Sequence, residues 1–208
     1  VSDIMMPVMN GIMMCKILKE DVRTSHIPII LLTAKDSLQD KEEGYQVGAD
    51  SYLTKPFSAT LLHSRINNLL ESRKRLTERF NTSTPHHNMD EKRALLAESL
   101  NKLDNEFIEK INQLIEARLS SEKIDIGYLA DNMCMSKSTL YRKMKALTGL
   151  STNEYVRKIK MQHAERLLLE GRYNISEVAF RVGINSVVYF RQCFKEEFGV
   201  LPSEYLKQ

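Results

Sequence analysis

The sequence predicts an α/β unit of three parallel strands with helices, followed by an all-α unit that carries two helix-turn-helix motifs. Three observations carry this. Short apolar runs alternate with helical patterns over the first 57 residues, the order that builds a parallel sheet. In the second half no period-two pattern appears, and apolar residues recur at spacings of three and four, as on one face of a helix. That half also repeats itself, at an offset of 49 to 50 residues.

In the first unit, Val1-Ser2-Asp3 ends a strand, Gly11–Glu20 reads as a helix and residues 28–34 as a buried strand. Residues 37–47 read as a second helix and Ser51–Thr54 as a third strand. After Lys55-Pro56 a helix starts from an N-cap at Ser58, with Leu61, Leu62, Ile66, Leu69 and Leu70 along one stripe. Its end is basic (Arg73, Lys74, Arg75, Arg79), which suits the negative end of the helix dipole. Residues 81–88 are polar and contain Pro85, a linker composition. A helical pattern resumes by Lys92 and strengthens after Asp104, with Phe107, Ile108, Ile111, Leu114 and Ile115 on one face. The expected units are residues 1–80, a linker over 81–103, and residues 104–208.

The repeat occupies residues 126–156 and 175–206. Leu129-Ala130 returns as Val178-Ala179; Leu140, Met144, Gly149 and Tyr155 return as Phe190, Phe194, Gly199 and Tyr205. The one extra residue falls in a turn, so each copy reads as a short helix, a tight turn and a longer helix. A connecting helix over 152–170 turns Tyr155, Ile159, Ala164, Leu167 and Leu168 inward. Ala130 and Ala179 let the paired helices cross closely. Leu140, Met144 and Leu147, and then Phe190, Phe194 and Phe198, anchor the longer helices.

The opposite face of each longer helix is then free, and a DNA major groove admits one α-helix. The first copy offers Lys137, Ser138, Tyr141, Arg142 and Lys145; the second offers Ser186, Val187, Val188, Arg191, Gln192 and Lys195. Arg suits guanine, Gln suits adenine and Val suits a thymine methyl. Lys137, Lys145 and Lys195 suit phosphates. Two copies on one connector should read successive major grooves, about 34 Å apart. A plain helical bundle shares the periodicity, but not the repeat, the two turns and the basic stripe together.

Composition agrees. The 208 residues are 42% hydrophobic and 27% charged, ordinary for a soluble folded chain and against disorder. No apolar run approaches the roughly 20 residues of a membrane helix, and no secretory signal opens the chain. The net charge of +3 lies in the second half, and residues 136–160 hold seven basic side chains against Glu154, a candidate phosphate-facing surface. Cys15, Cys134 and Cys193 form no CxxC and are expected as buried, inert thiols of a reducing cytoplasm. His86-His87 has no nearby third ligand and reads as linker; His163 reads as structural or exposed. Met5, Met6, Met9, Met13 and Met14 read as core or loop packing, with a partner surface as the alternative. The chain opens without an initiator Met and is expected to belong to something longer.

Asp3 lies at a strand end, where α/β sheets place their chemistry, and Pro7 and Gly11 shape the loop after it. The Thr33 hydroxyl and the Lys55 ammonium recur at the next two strand ends. Converging, the three form a phosphoryl site: Asp3 as the nucleophile of an acyl phosphate, Thr33 and Lys55 on its oxygens. Singly, a strand-end Asp is more often a cap or turn former, and a Lys-Pro pair a loop.

The order Asp3…Thr33-Ala34…Lys55-Pro56-Phe57 resembles the response-regulator receiver domain, over residues 1 to about 80. The resemblance implies a partial flavodoxin-like fold, Asp3 as phosphoacceptor, Thr33, Tyr52 and Lys55 as switch residues, and a cis bond before Pro56. It further implies Mg2+ on Asp3 and the Met5 backbone carbonyl, completed by an acidic pair ahead of Val1. Without that pair the site is incomplete, and the polypeptide as given is expected not to be efficiently phosphorylated. Residues 104–208 closely resemble the AraC-type DNA-binding domain. The resemblance rests on Ile126-x-x-Leu129-Ala130, Ser136-Lys-Ser-Thr-Leu-Tyr-Arg-Lys-Met-Lys-Ala-Leu-Thr-Gly149, Ile175-Ser-Glu-Val-Ala-Phe-Arg-Val-Gly-Ile184 and Tyr189-Phe-x-x-x-Phe194-Lys-x-x-Phe198-Gly-x-x-Pro202-Ser-x-Tyr205. It implies duplex DNA as ligand, commonly as a dimer, with recruitment of RNA polymerase. Val187-Val188 stands where this family is usually more polar.

The expected function is sequence-specific transcription regulation in a bacterial two-component phosphorelay, controlled by phosphorylation of Asp3. A histidine kinase or phosphotransfer domain, RNA polymerase and a second copy are the expected protein partners, in the cytoplasm. The alternative is the C-terminal output of a hybrid histidine kinase tethered to the inner membrane. An enzyme using Asp3 would need a Gly-rich phosphate loop or a second catalytic carboxylate, and the sequence shows neither motif. A pure protein adaptor would lack salt-steep binding to duplex DNA.

Overall fold

The computed structural model describes residues 1–34, 46–81, 101–120 and 124–206. The expected helix over 37–47 falls almost wholly outside these residues, as do His86-His87 and the pattern from Lys92.

Strands β1 (Ser2–Asp3), β2 (Ile30–Thr33) and β3 (Ser51–Thr54) form a parallel sheet in the order β1-β2-β3. Asp3 pairs with Leu32, and Thr33 with Thr54, which brings the three strand ends to one edge. Helix α1 (Gly11–Glu20) begins where Asn10 Oδ1 accepts the Met13 N–H at 2.7 Å. Ile12, Cys15, Ile29, Leu31, Ala49 and Tyr52 form the core beneath it. Helix α2 (Ala59–Asn81) starts from Ser58, whose hydroxyl accepts the Leu61 N–H at 3.1 Å. Its stripe divides: Leu62, Ile66 and Leu69 are half-buried, whereas Leu61 and Leu70 are exposed.

The second unit is helical throughout its described length. Helix α3 (Lys102–Glu116), capped by Asn101, begins two residues before the expected boundary. Then come α4 (Ile126–Asn132), α5 (Lys137–Thr148), α6 (Thr152–Leu169), α7 (Ile175–Arg181), α8 (Val187–Phe198) and α9 (Pro202–Tyr205). The repeat is therefore physical: 7 and 12 residues in both copies. Equivalent positions also share conformation. Ser136 and Ser186 cap α5 and α8 by accepting the N–H of Thr139 (3.1 Å) and Tyr189 (3.2 Å). Gly149 (φ 74°) and Gly199 (φ 80°) end these helices in the left-handed region that favours glycine. In the turns, Cys134 (φ 52°) matches Gly183 (φ 66°).

Each copy has its own core, and α6 serves both. Tyr155, Val156 and Ile159 pack with α3, α4 and α5; Met161, Ala164 and Leu168 pack with α7 and α8. Rings of Phe194, Phe198 and Tyr205 close the C-terminal end at 4.5–5.6 Å between centroids, and Tyr205 Oη donates to Glu165.

Two expectations are corrected. Cys134 is exposed, its side chain turned outward at φ 52° between the buried Met133 and Met135; Cys15 and Cys193 are buried as expected. Met5 and Met9, in the loop after β1, and Met13, on the outer side of α1, are exposed rather than packed, whereas Met6 and Met14 are half-buried.

Candidate functional site

At the sheet edge, Lys55 Nζ donates to Asp3 Oδ2. That hydrogen bond holds the Asp3 carboxyl below the usual carboxylate range, against the opposing effect of burial. Both side chains remain partly exposed. The local backbone explains the placement. A Cβ on Gly11 would lie 2.2 Å from the Asp3 carbonyl oxygen, so glycine is what lets α1 start directly against β1. The Gly11 N–H in turn donates to the Ile4 carbonyl at 2.9 Å. The Lys55 N–H donates to the Thr33 carbonyl at 2.7 Å, and the Lys55-Pro56 bond is cis. Thr33 and Tyr52 are both buried. The edge thus offers an ionised carboxylate nucleophile with an ammonium against it, the chemistry of an acyl-phosphate site.

Mg2+ wants six oxygens in near-octahedral array. Asp3 and the Met5 carbonyl supply too few, and the described residues hold no cluster of three or more His, Cys, Asp or Glu. These residues do not by themselves fit the ion.

On the helical unit, Lys137, Ser138, Tyr141, Arg142 and Lys145 all lie exposed on α5. Leu140, Met144 and Leu147 anchor the other side. The Lys137 ammonium lies across Gly127, where an added Cβ would be 3.2 Å from Nζ. Arg142 Nε donates to the Ser138 carbonyl at 3.3 Å. On α8, Arg191, Gln192 and Lys195 are exposed, and Val188 is 77% exposed. Val187 packs partly against the second core, so of the two valines Val188 is the one presented outward. Ser186 is exposed, and its hydroxyl is engaged in capping α8. Gln192 Nε2 donates to Glu196 Oε1 at 3.1 Å.

The basic stretch over 136–160 is only partly a surface. Lys143, Lys158 and Lys160 are buried. Lys143 pairs with Asp104, Lys158 with Glu197 at 3.3 Å, and Lys160 donates to the Gly183 carbonyl at 3.3 Å. Burial pushes the Lys143 and Lys160 ammonium groups down. The exposed cations are Lys137, Arg142, Lys145 and Arg157. A signal for Lys143 existed: positions 140, 143, 144 and 147 fall on one helical face, so this lysine shares the core stripe.

The sequence reasoning also missed Asp50. Its carboxylate accepts from Lys19 Nζ (2.7 Å) and the Ile29 N–H (2.8 Å), and pairs with Arg73 at 3.6 Å. It ties α1, β2 and α2 together.

Known proteins share both halves. The sequence model of the response regulator receiver domain matches residues 1–67, and that of a helix-turn-helix domain matches residues 129–208. Histidine kinase P4 of Formosa agariphila is 36% identical over 205 residues, covering 99% of this chain and 14% of that protein. The heme response regulator HssR of Staphylococcus saprophyticus is 49% identical over 71 residues, 34% of this chain and 30% of that protein. The chain therefore spans less than a third of either relative's length. Among solved structures, the C-terminal domain of AraT, a response regulator from Geobacillus stearothermophilus, is 31% identical with a TM-score of 0.45, over 49% of this chain and 84% of that one. The DNA-binding domain of AdpA, solved with a target DNA, is 30% identical with a TM-score of 0.44, over 49% and 89%. No described helix is long and apolar enough to cross a membrane. With a receiver sequence over residues 1–67 and a helix-turn-helix sequence over residues 129–208, the chain is a response-regulator receiver segment joined to an AraC-type helix-turn-helix unit.

Proposed function

We propose that this chain reads specific duplex DNA sites, and that in its parent protein this reading is controlled by phosphorylation at Asp3. The observation that carries the reading is the duplicated helix pair, in which α5 and α8 are each anchored on one face and expose a polar row on the other. Arg142, Arg191 and Gln192 contact base edges, Val188 meets a thymine methyl, and Lys137, Lys145 and Lys195 hold phosphates, with Ser138, Tyr141 and Ser186 beside them. Asp3 accepts the phosphoryl group from a histidine kinase or phosphotransfer domain, Lys55 holds its oxygen, and Thr33 and Tyr52 carry the change into the fold. The outputs are pairing with a second copy and recruitment of RNA polymerase.

One alignment favours a hybrid parent. The match to histidine kinase P4 crosses both halves in one run, within a protein about seven times as long. On that reading any kinase activity belongs to the rest of the parent, and the chain lies on the cytoplasmic side of an inner membrane. A stand-alone cytoplasmic regulator is the second reading, supported by relatives such as HssR.

Selection of bound sequences from random duplexes tests the DNA reading. Arg142→Ala and Gln192→Ala should each erase base preference at separate positions about one helical turn apart, each worth about 1–3 kcal/mol of discrimination. Uniform weakening across all sequences would instead assign both side chains to phosphates.

A further inference from the structure

The loop between α1 and β2 belongs to the receiver, yet it reaches the back of the first reading helix. Ser25 there is completely buried, as is Lys143 of α5, and Asp104 of α3 is 2% exposed. The Ser25 hydroxyl donates to Asp104 Oδ1 at 2.6 Å. Lys143 Nζ donates to the Ser25 hydroxyl at 2.9 Å and to Asp104. Asn101 Nδ2 completes the cluster, donating to Asp104 Oδ2 at 2.9 Å and to the Ser25 carbonyl at 3.3 Å. The Phe107 ring lies 4.9 Å from the ammonium. Val22 packs on the core of the first copy, and α2 runs against α5.

From this cluster we infer that Ser25 is a positioning residue for DNA recognition: the receiver fixes the placement of α5 through Asp104 and Lys143. The inference rests on the DNA reading above. A buried ammonium is tolerated only while its acceptors stay in place. Lys143 has two, and one of them is the receiver's hydroxyl. Sliding or rolling α5 would strip the ammonium of Ser25, so the helix is held at one depth and one rotation relative to the receiver. Arg142 and Lys145 ride on that same helix, one and two residues away. The second copy lacks this hold: its equivalent helix, α8, is bound to α6 by the Arg157–Glu196 and Lys158–Glu197 pairs within the DNA-binding unit.

The test uses the full 208-residue chain and a duplex selected by it from a random pool. Ser25→Ala should weaken binding to that duplex on the order of ten-fold, with base preference lost only in the half-site that Arg142→Ala affects. The half-site that Gln192→Ala affects should stay intact, as should binding to bulk duplex DNA. Amide hydrogen exchange in α5 should quicken, while that in α8 should not. In a Lys143→Met background, Ser25→Ala should add nothing further. Unchanged base preference, or equal loss in both half-sites, would overturn the inference. If the unaltered chain selects no duplex, the DNA reading fails, and hydrogen exchange in α5 against α8 still decides whether Ser25 fixes the helix.

Discussion

At the scale of single residues, Cys134 carries a measurable strain. It sits at φ 52° in the turn of the first copy, where the second copy places Gly183 at φ 66°. A side chain in that conformation costs about 1–2 kcal/mol, part of which glycine returns as entropy of the unfolded chain. Cys134→Gly is expected to stabilise the protein by roughly 0.5–1 kcal/mol, read as a higher urea midpoint at unchanged slope. The repeat made the two turns alignable from sequence, because Leu129-Ala130 and Val178-Ala179 flank them at a fixed offset. The conformation at Cys134 was not legible, since nothing in a cysteine announces a positive φ. The valine pair shows the same limit: Val187 and Val188 look equivalent in sequence, and only packing against the second core separates them.

Between elements, the loop from α1 to β2 is the sensitive joint. His26 follows Ser25 there, and Arg73 of α2 donates to its carbonyl. Burial, then the nearby Lys143 charge, pushes its pKa from 6.5 to about 4. Between those values the unfolded chain binds the proton and the folded one does not, so stability rises with pH across that window. The contribution is fully present above 6.5 and is lost as pH falls towards 4, amounting to at most about 3 kcal/mol. Urea midpoints followed from pH 7.5 to 4.5 should fall more steeply for the unaltered chain than for His26→Gln. Equal slopes would show that His26 titrates as it does in the unfolded chain. This joint escaped the sequence reading for a physical reason. Ser25, Asp104 and Lys143 are polar and far apart along the chain, and their burial depends on a meeting between units that no local period records. The elements themselves were legible wherever a period, a cap or a terminal glycine marked them, as at Ser58, Ser136 and Gly199.

For the molecule as a whole, the two edges differ in what the described residues supply. The duplicated reading unit is present with both cores closed, whereas Asp3 and the Met5 carbonyl offer a divalent cation too few oxygens. Incubation with acetyl phosphate and Mg2+ is expected to leave Asp3 of this polypeptide largely unlabelled by intact mass. Stoichiometric labelling would show that the chain alone completes the acceptor site. The connector α6 has a consequence of its own. Its 18 residues form one unbroken rod of about 27 Å, clamped by separate cores along its two halves. A rod clamped at both ends acts as a ruler. Adding one base pair between the two contacted stretches of an operator would shift the far stretch by about 3.4 Å and swing it around the duplex axis, and a stiff ruler has no joint with which to follow.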